Sequence, residues 1–230
     1  LSKILDPAGG PPTPERAVEY LALAWPELSA GCWRDDTQSG AWYQRFQRWL
    51  WRYVDTHFDP PPTTLGIERQ VAAPSTELGI AVEGRVDRLD LRSGSPVVVD
   101  YKTGREPPDE RTVRSSRTLA MYAYGAWKTF RRPCLTVELH HLPTGTVVAV
   151  EHTVESLRRH LSRAADTARD IHKATNAFKA GADQETAFPA RPGPLCAYCP
   201  FLRSCPAGQG TAAELEPWAS LDRWERELPE

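Results

Sequence analysis

Residues 83–104, EGRVDRLDLRSGSPVVVDYKTG, constrain this chain more than any other stretch. Two β-type runs flank Ser93-Gly94-Ser95, the Gly/Ser signal of a hairpin tip. If Ser93-Gly94 is a two-residue loop, Arg92 faces Ser95 and the register carried back places Asp87 opposite Asp100. A four-residue loop over 92–95 gives the same register, and an odd-length loop breaks it. Directly opposed residues share a face, at roughly 5 Å between Cβ atoms. Lys102 shares that face with Asp100, because strand side chains repeat every two residues. Two carboxylates and one ammonium then meet on one patch, the chemistry of a divalent-metal site with a cation beside it. The plainer alternative is an Asp–Lys ion pair on the surface of a hairpin.

A chain of 230 residues, 40% hydrophobic and 25% charged, can bury a real core and has the composition of a globular protein. Its net charge of −2 supplies no global field toward nucleic acid. The local balance differs: across 101–132 eight Lys and Arg stand against three Asp and Glu, a local charge of +5. A basic segment directly after a metal site suits a polyanionic substrate, and a solvated helix face is the other reading. Three of the five cysteines fall within ten residues near the C-terminus, which is not the even usage of a disulfide framework. No run of 18 apolar residues and no signal-peptide pattern occurs, so the expectation is a cytoplasmic protein without membrane contact. There is no G-x-S-x-G elbow for a nucleophilic serine and no Walker-type phosphate loop, so any motor would lie on another segment or chain. His140 and His141, adjacent on a strand, point to opposite faces and cannot share one metal.

Periodicity supplies the remaining elements. Thr13 caps a helix over 14–25 with Pro14 in its first turn. Trp42, Phe46, Trp49 and Tyr53 recur at helical spacing within 40–58, a stripe that reads as core with a base-stacking platform as the alternative. Pro60-Pro61-Pro62 ends that helix. Strands are expected at 65–73, 79–91 and 96–101, a polar loop at 103–113, and a helix at 114–130 that turns Leu119, Tyr122, Ala123, Ala126, Trp127 and Phe130 to one side. A second hairpin follows at 134–142 and 146–154. A long helix over 155–179 carries Leu157, Leu161, Ala164, Ala168, Ile171, Thr175 and Phe178 on one face. A Pro/Gly loop at 180–194 leads to the cysteines, and the tail from 207 is acidic. The fold class is α/β: a central mixed sheet with an antiparallel meander, flanked by helices. The expected division is an N-terminal helical region at 1–62, a core at 63–180 and a cysteine-rich segment with acidic tail at 181–230.

Gly84-Arg85-Val86-Asp87-Arg88-Leu89-Asp90, followed by Val97-Val98-Val99-Asp100-Tyr101-Lys102-Thr103-Gly104, resembles the RecB-type branch of the PD-(D/E)xK nucleases. Cys196-x2-Cys199-x5-Cys205-Pro206 is similar to the iron–sulfur staple of RecB-like exonucleases. The resemblance covers residues 65–206. It implies a restriction-endonuclease-like core in which Asp87, Asp100 and the Tyr101 backbone carbonyl ligate Mg²⁺ or Mn²⁺ and Lys102 is catalytic. It also implies Glu68 and Tyr122 close to the site, and Arg105, Arg114 and Arg117 as contacts to DNA. The chain departs from the family pattern in three places. No histidine ligand stands on an N-terminal helix, no first cluster cysteine precedes it, and Thr118 occupies a position often held by Gln. With Leu at position 1, the chain is expected to be N-terminally incomplete.

Cys196, Cys199 and Cys205 are three soft ligands that two turns can wrap around a thiophilic metal or cluster. A fourth is needed, and Cys32 is the candidate, although Gly31-Cys32-Trp33 lacks the family's Cys-Pro context. Cys134, at a strand start, reads as a small buried hydrophobe. Structural zinc competes with a 4Fe–4S cluster, and the resemblance favours the cluster, with a structural role. The implied function is a metal-dependent deoxyribonuclease, an exonuclease of repair or recombination. It would act on single-stranded DNA or single-stranded ends, with a helicase as possible partner. The competing reading is a catalytically weak or inactive DNA-binding or partner-docking module of a helicase–nuclease complex.

Overall fold

The computed structural model describes residues 3–5, 10–212, 221 and 224; most of the acidic tail lies outside them. Two helices come first, α1 (Pro14–Leu28) and α2 (Asp36–His57). Three strands follow: β1 (Thr64–Ser75), β2 (Ile80–Arg92) and β3 (Ser95–Lys102). Helices α3 (Glu110–Ser115) and α4 (Arg117–Phe130) lead to β4 (Thr136–His141), β5 (Thr146–Glu151) and the long α5 (Val154–Lys179). Short helices α6 (Gln184–Ala187) and α7 (Pro206–Gln209) flank the cysteine segment. No helix among the described residues is long and apolar enough to cross a membrane.

The strands form one sheet in the order β1-β2-β3-β4-β5. Only β3 and β4 run parallel; the other neighbours are antiparallel. A parallel pair needs a crossover, and α3 with α4 supplies it. The meander on either side needs only tight turns. At the β2–β3 tip Ser93 (φ 48°) and Gly94 (φ 82°) are both left-handed, as a two-residue type I′ turn demands. That turn sets the register: Arg92 pairs with Ser95 and the ladder runs back to Arg88 and Val99. Helix α4 packs on β1, β2 and β3. Its Leu119, Ala120, Ala123 and Ala126 meet Val71, Val86, Leu89 and Val98 of the sheet in the core.

The mixed sheet with its meander is the architecture that the pattern of runs implied. Local chemistry moves several boundaries. Thr13 caps α1 as expected, accepting from the Arg16 N–H at 3.3 Å, yet the helix continues through Pro26 to Leu28. Helix α2 starts six residues before Trp42, the first of its apolar stripe, because the Asp35 carboxylate accepts from the Gln38 N–H at 2.8 Å. The expected loop at 103–113 holds the start of α3, capped by Asp109 on the Thr112 N–H at 2.7 Å. The helix expected over 114–130 breaks at Ser116, which is extended (ψ 111°) and caps α4 through Leu119 N–H. Trp42, Trp49 and Tyr53 are buried, which makes the α2 stripe core.

The chain divides into two compact units, Leu1–Gly31 with Asp35–Ala165, and Cys32–Arg34 with Asp166–Glu230. The sheet and its site lie in the first. The uniform apolar face expected along α5 is a correction: Leu157, Leu161 and Ala165 are buried, but Ile171 is 58% and Phe178 48% exposed. Spacing reports a stripe; it does not report where the surface that covers it ends.

Truncating Leu89, fully buried between β2 and α4, should cost about 2–5 kcal/mol as Leu89→Ala. Leu23→Ala, on the exposed side of α1, should stay within about 0.5 kcal/mol. Urea unfolding of the two variants checks the assignment of the core.

Candidate active site

The β2–β3 ladder stops where the acidic residues begin. Its last backbone pair is Arg88 with Val99, and the next pair in register is Asp87 with Asp100. There a side chain replaces a carbonyl: Asp87 Oδ2 accepts from the Tyr101 backbone N–H at 2.9 Å. The Asp87 Oδ1 atom makes no hydrogen bond among the described residues. On the other side of Asp87, Glu68 of β1 stands at the matching register position and adopts φ 48°, the one left-handed residue in that strand. So both ladders are interrupted at Asp87, and the strands open around it.

Asp100 is buried, with 8% of its surface exposed. Its Oδ2 lies 2.5 Å from Lys102 Nζ. Among the described residues Oδ2 has no other partner. The contact is an ion pair to a lysine whose side chain is 52% exposed. Burial raises the Asp100 pKa; Lys102 opposes the shift and Asp87 adds to it. Like charges close together and short of water explain the sign. Hard carboxylate oxygens are what a divalent ion takes as ligands, and Asp87 and Asp100 could offer them here.

Tyr122 enters from α4. Its ring lies on Gly84 of β2, so close that a Cβ at 84 would sit 2.4 Å from Cε1. Glycine is what lets the ring approach. Burial raises the Tyr122 pKa, and the charges of Asp100 and Asp87 push it further, which places the phenol within their field. Glu68 behaves differently. Its carboxylate pairs with Arg85 at 3.1 Å. Among the described residues no three His, Cys, Asp or Glu side chains are grouped to hold a metal ion. Of the basic residues, Arg114 is tied to Glu110 at 2.6 Å and to the Glu151 carbonyl, and Arg105 lies 3.5 Å from Glu106. Arg117 is exposed at the start of α4 and has no such partner among the described residues.

The same finding bears on the cysteines: as placed, Cys196, Cys199, Cys205 and Cys32 do not form a metal-holding group. Two of the sulfurs are nonetheless held by backbone donors. Gly193 N–H points to Cys196 Sγ and Gly208 N–H to Cys205 Sγ, each at 3.3 Å. Cys32 falls in the same compact unit as these three. Cys134 is buried beside β4 and its thiol is pushed up to about 12, the behaviour of a small hydrophobe.

Behind the site lies a group of residues that periodicity missed. Six side chains, all buried except the partly exposed Arg92, close a ring on the sheet face that carries Tyr101. Tyr53 Oη meets His140 Nδ1 at 2.8 Å, and His140 Nε2 meets Glu138 Oε2 at 2.8 Å. Glu138 takes both arms of Arg92, which also reaches Asp90 at 3.1 Å. Asp90 receives Arg88 Nη2 at 3.0 Å, and Arg88 Nη1 returns to Tyr53 Oη at 3.3 Å. A carboxylate only accepts, so His140 carries its proton on Nε2 and accepts from Tyr53 on Nδ1. The ring is then neutral, with two guanidiniums against two carboxylates. The alternation of Arg88, Asp90 and Arg92 was visible, but alternating charges read as a solvent face; only the facing Glu138 and His140 of β4 reveal a buried one.

A family model, the PD-(D/E)XK nuclease superfamily, matches residues 2–206. The chain belongs to that superfamily, whose members are metal-dependent nucleases using ions such as Mg²⁺ or Mn²⁺. DNA is the substrate that membership implies. No curated protein matches the chain.

Burial lowers the pKa values of His57, His140, His152 and His160 from 6.5. Below that value the unfolded chain takes up protons that the folded one refuses, so stability falls with pH until the depressed native values are reached. Urea unfolding between about pH 7.5 and 5.5 should show stability decreasing toward acid. His152→Asn should flatten that slope.

Proposed function

We propose that this chain is a RecB-type deoxyribonuclease in which Asp87 and Asp100, with the Tyr101 backbone carbonyl, hold Mg²⁺ or Mn²⁺ beside a catalytic Lys102. The observation that carries the reading is the opening of both ladders at Asp87, with a buried Asp100 oxygen held only by Lys102. A divalent ion in that position neutralises phosphate charge and lowers the pKa of the attacking water. The protein's own groups do the rest. The Tyr101 N–H fixes one oxygen of Asp87 and leaves the other for the ion. Lys102, half in solvent, turns from Asp100 to the phosphate, where its ammonium orients the water and stabilises charge in the transition state. Tyr122 borders the site, and Glu68 tethers Arg85 at its edge. Arg117 and the basic residues around it, Arg105 and Arg114 included, hold the DNA backbone.

Cleavage of end-labelled single- and double-stranded DNA with Mg²⁺ or Mn²⁺ tests this. Asp100→Asn should abolish metal-dependent cutting in a folded protein. Lys102→Ala should lower kcat by about 100–1000-fold and leave DNA binding intact. Full activity in Asp100→Asn would falsify the assignment. Release of single nucleotides from ends would support exonuclease action in repair or recombination, alone or with a helicase partner. One observation favours the second reading, a DNA-binding or docking module with little chemistry: Glu68 is committed to Arg85, so two carboxylates stand where three would bind more tightly. Binding without cutting would select it.

The cysteine segment we assign to a structural 4Fe–4S cluster on Cys196, Cys199, Cys205 and Cys32, with zinc as the alternative. Backbone donors to two sulfurs support a thiolate site, since such bonds stabilise charged sulfur. No step of cleavage runs through it. Protein purified without oxygen should contain iron and absorb visible light, and Cys199→Ser should lose both. Zinc in place of iron selects the alternative.

A further inference from the structure

The buried ring touches the site at one residue. Tyr101 stands between Asp100 and Lys102, and its hydroxyl accepts from Arg88 Nη1 at 2.7 Å. Arg88 is the residue after Asp87 and is 1% exposed. So β2 and β3 are joined twice at the point where their ladder has ended. On one face the Tyr101 N–H holds Asp87; on the other the Arg88 guanidinium holds the Tyr101 hydroxyl. The guanidinium cannot drift. Its Nε lies 2.9 Å from Asp90 Oδ1, its Nη2 bonds Asp90 Oδ2 at 3.0 Å, and Asp90 is itself fully buried.

We infer that Arg88 and Tyr101 are positioning residues that set the spacing between Asp87 and Asp100 and thereby the preference of the site for a small ion. This rests on the proposed role of those carboxylates as metal ligands. Two like charges repel each other, and no backbone pair restrains them. The clasp on the opposite face supplies the restraint that the ladder no longer gives. Magnesium requires near-ideal octahedral oxygens at about 2.0–2.1 Å, whereas calcium accepts about 2.3–2.6 Å and irregular geometry. A loosened clasp therefore penalises magnesium more than calcium.

Tyr101→Phe removes the hydroxyl and leaves Arg88 Nη1 its bond to Tyr53, so the ring stays closed. Binding of Mg²⁺ and of Ca²⁺ is measured by calorimetry on the whole chain, beside thermal unfolding, for the wild type, Tyr101→Phe and Asp100→Asn. The expected result is Mg²⁺ affinity lowered about 5–10-fold in Tyr101→Phe, Ca²⁺ affinity changed less than twofold, and an unchanged Tm. Arg88→Lys, which keeps the charge against Asp90 but loses the fork, should shift selectivity the same way. Equal affinities in the wild type and Tyr101→Phe overturn the inference alone. So does an equal loss for both ions with a lower Tm, which marks a purely structural role. Wild-type binding that Asp100→Asn does not weaken overturns the metal reading itself, and the inference with it.

Discussion

The register of the β2–β3 hairpin is the constraint from which the rest follows. A two-residue turn with two left-handed positions admits one pairing, Arg92 with Ser95, and a strand period of two does the rest. That pairing sends Leu89 and Val98 into the core, and brings Asp87 level with Asp100. A slip of one residue would exchange the two faces. It would carry the carboxylates away from Tyr122 of α4 and turn the apolar residues toward the charged ring.

The sheet keeps two kinds of chemistry apart by facing them in opposite directions. On one side apolar packing against α4 gives a rigid floor, with Tyr122 laid on Gly84 beside the acidic pair. On the other side Arg88, Asp90, Glu138, His140 and Tyr53 satisfy one another away from water, and Arg92 closes the ring from its exposed edge. Buried charges are tolerated only when paired and hydrogen-bonded, and a closed neutral ring meets both conditions. Tyr101 belongs to both faces, through its backbone to Asp87 and through its hydroxyl to Arg88. In the proposed metal site, rigidity behind the strand is what would hold the two carboxylates close enough to share an ion.

Much of this was legible in residue order, because it depends on local chemistry. Thr13 as a cap, Ser93-Gly94 as a turn, the α2 aromatic stripe as core and the five strands all follow from short-range rules. Other features were not. The break at Ser116 and the early start of α2 turn on single capping side chains whose alternatives look equally good in sequence. The exposed end of α5 escaped because a helical stripe carries no information about what lies over it. Glu68 was placed near the acidic pair by family likeness, and its left-handed backbone and bond to Arg85 come only from the folded sheet.

By itself the sequence determined the strand register, and with it the meeting of Asp87, Asp100 and Lys102 at one end of a hairpin. It could do so because a tight turn and a two-residue period are local properties. Tertiary structure alone decided that the ladders open at Asp87, that Asp100 loses its water, and that Arg88 with Asp90 forms part of a buried ring. Those outcomes depend on β4, α2 and α4 arriving from distant parts of the chain. A charge on a strand acquires its meaning only from what is packed against it.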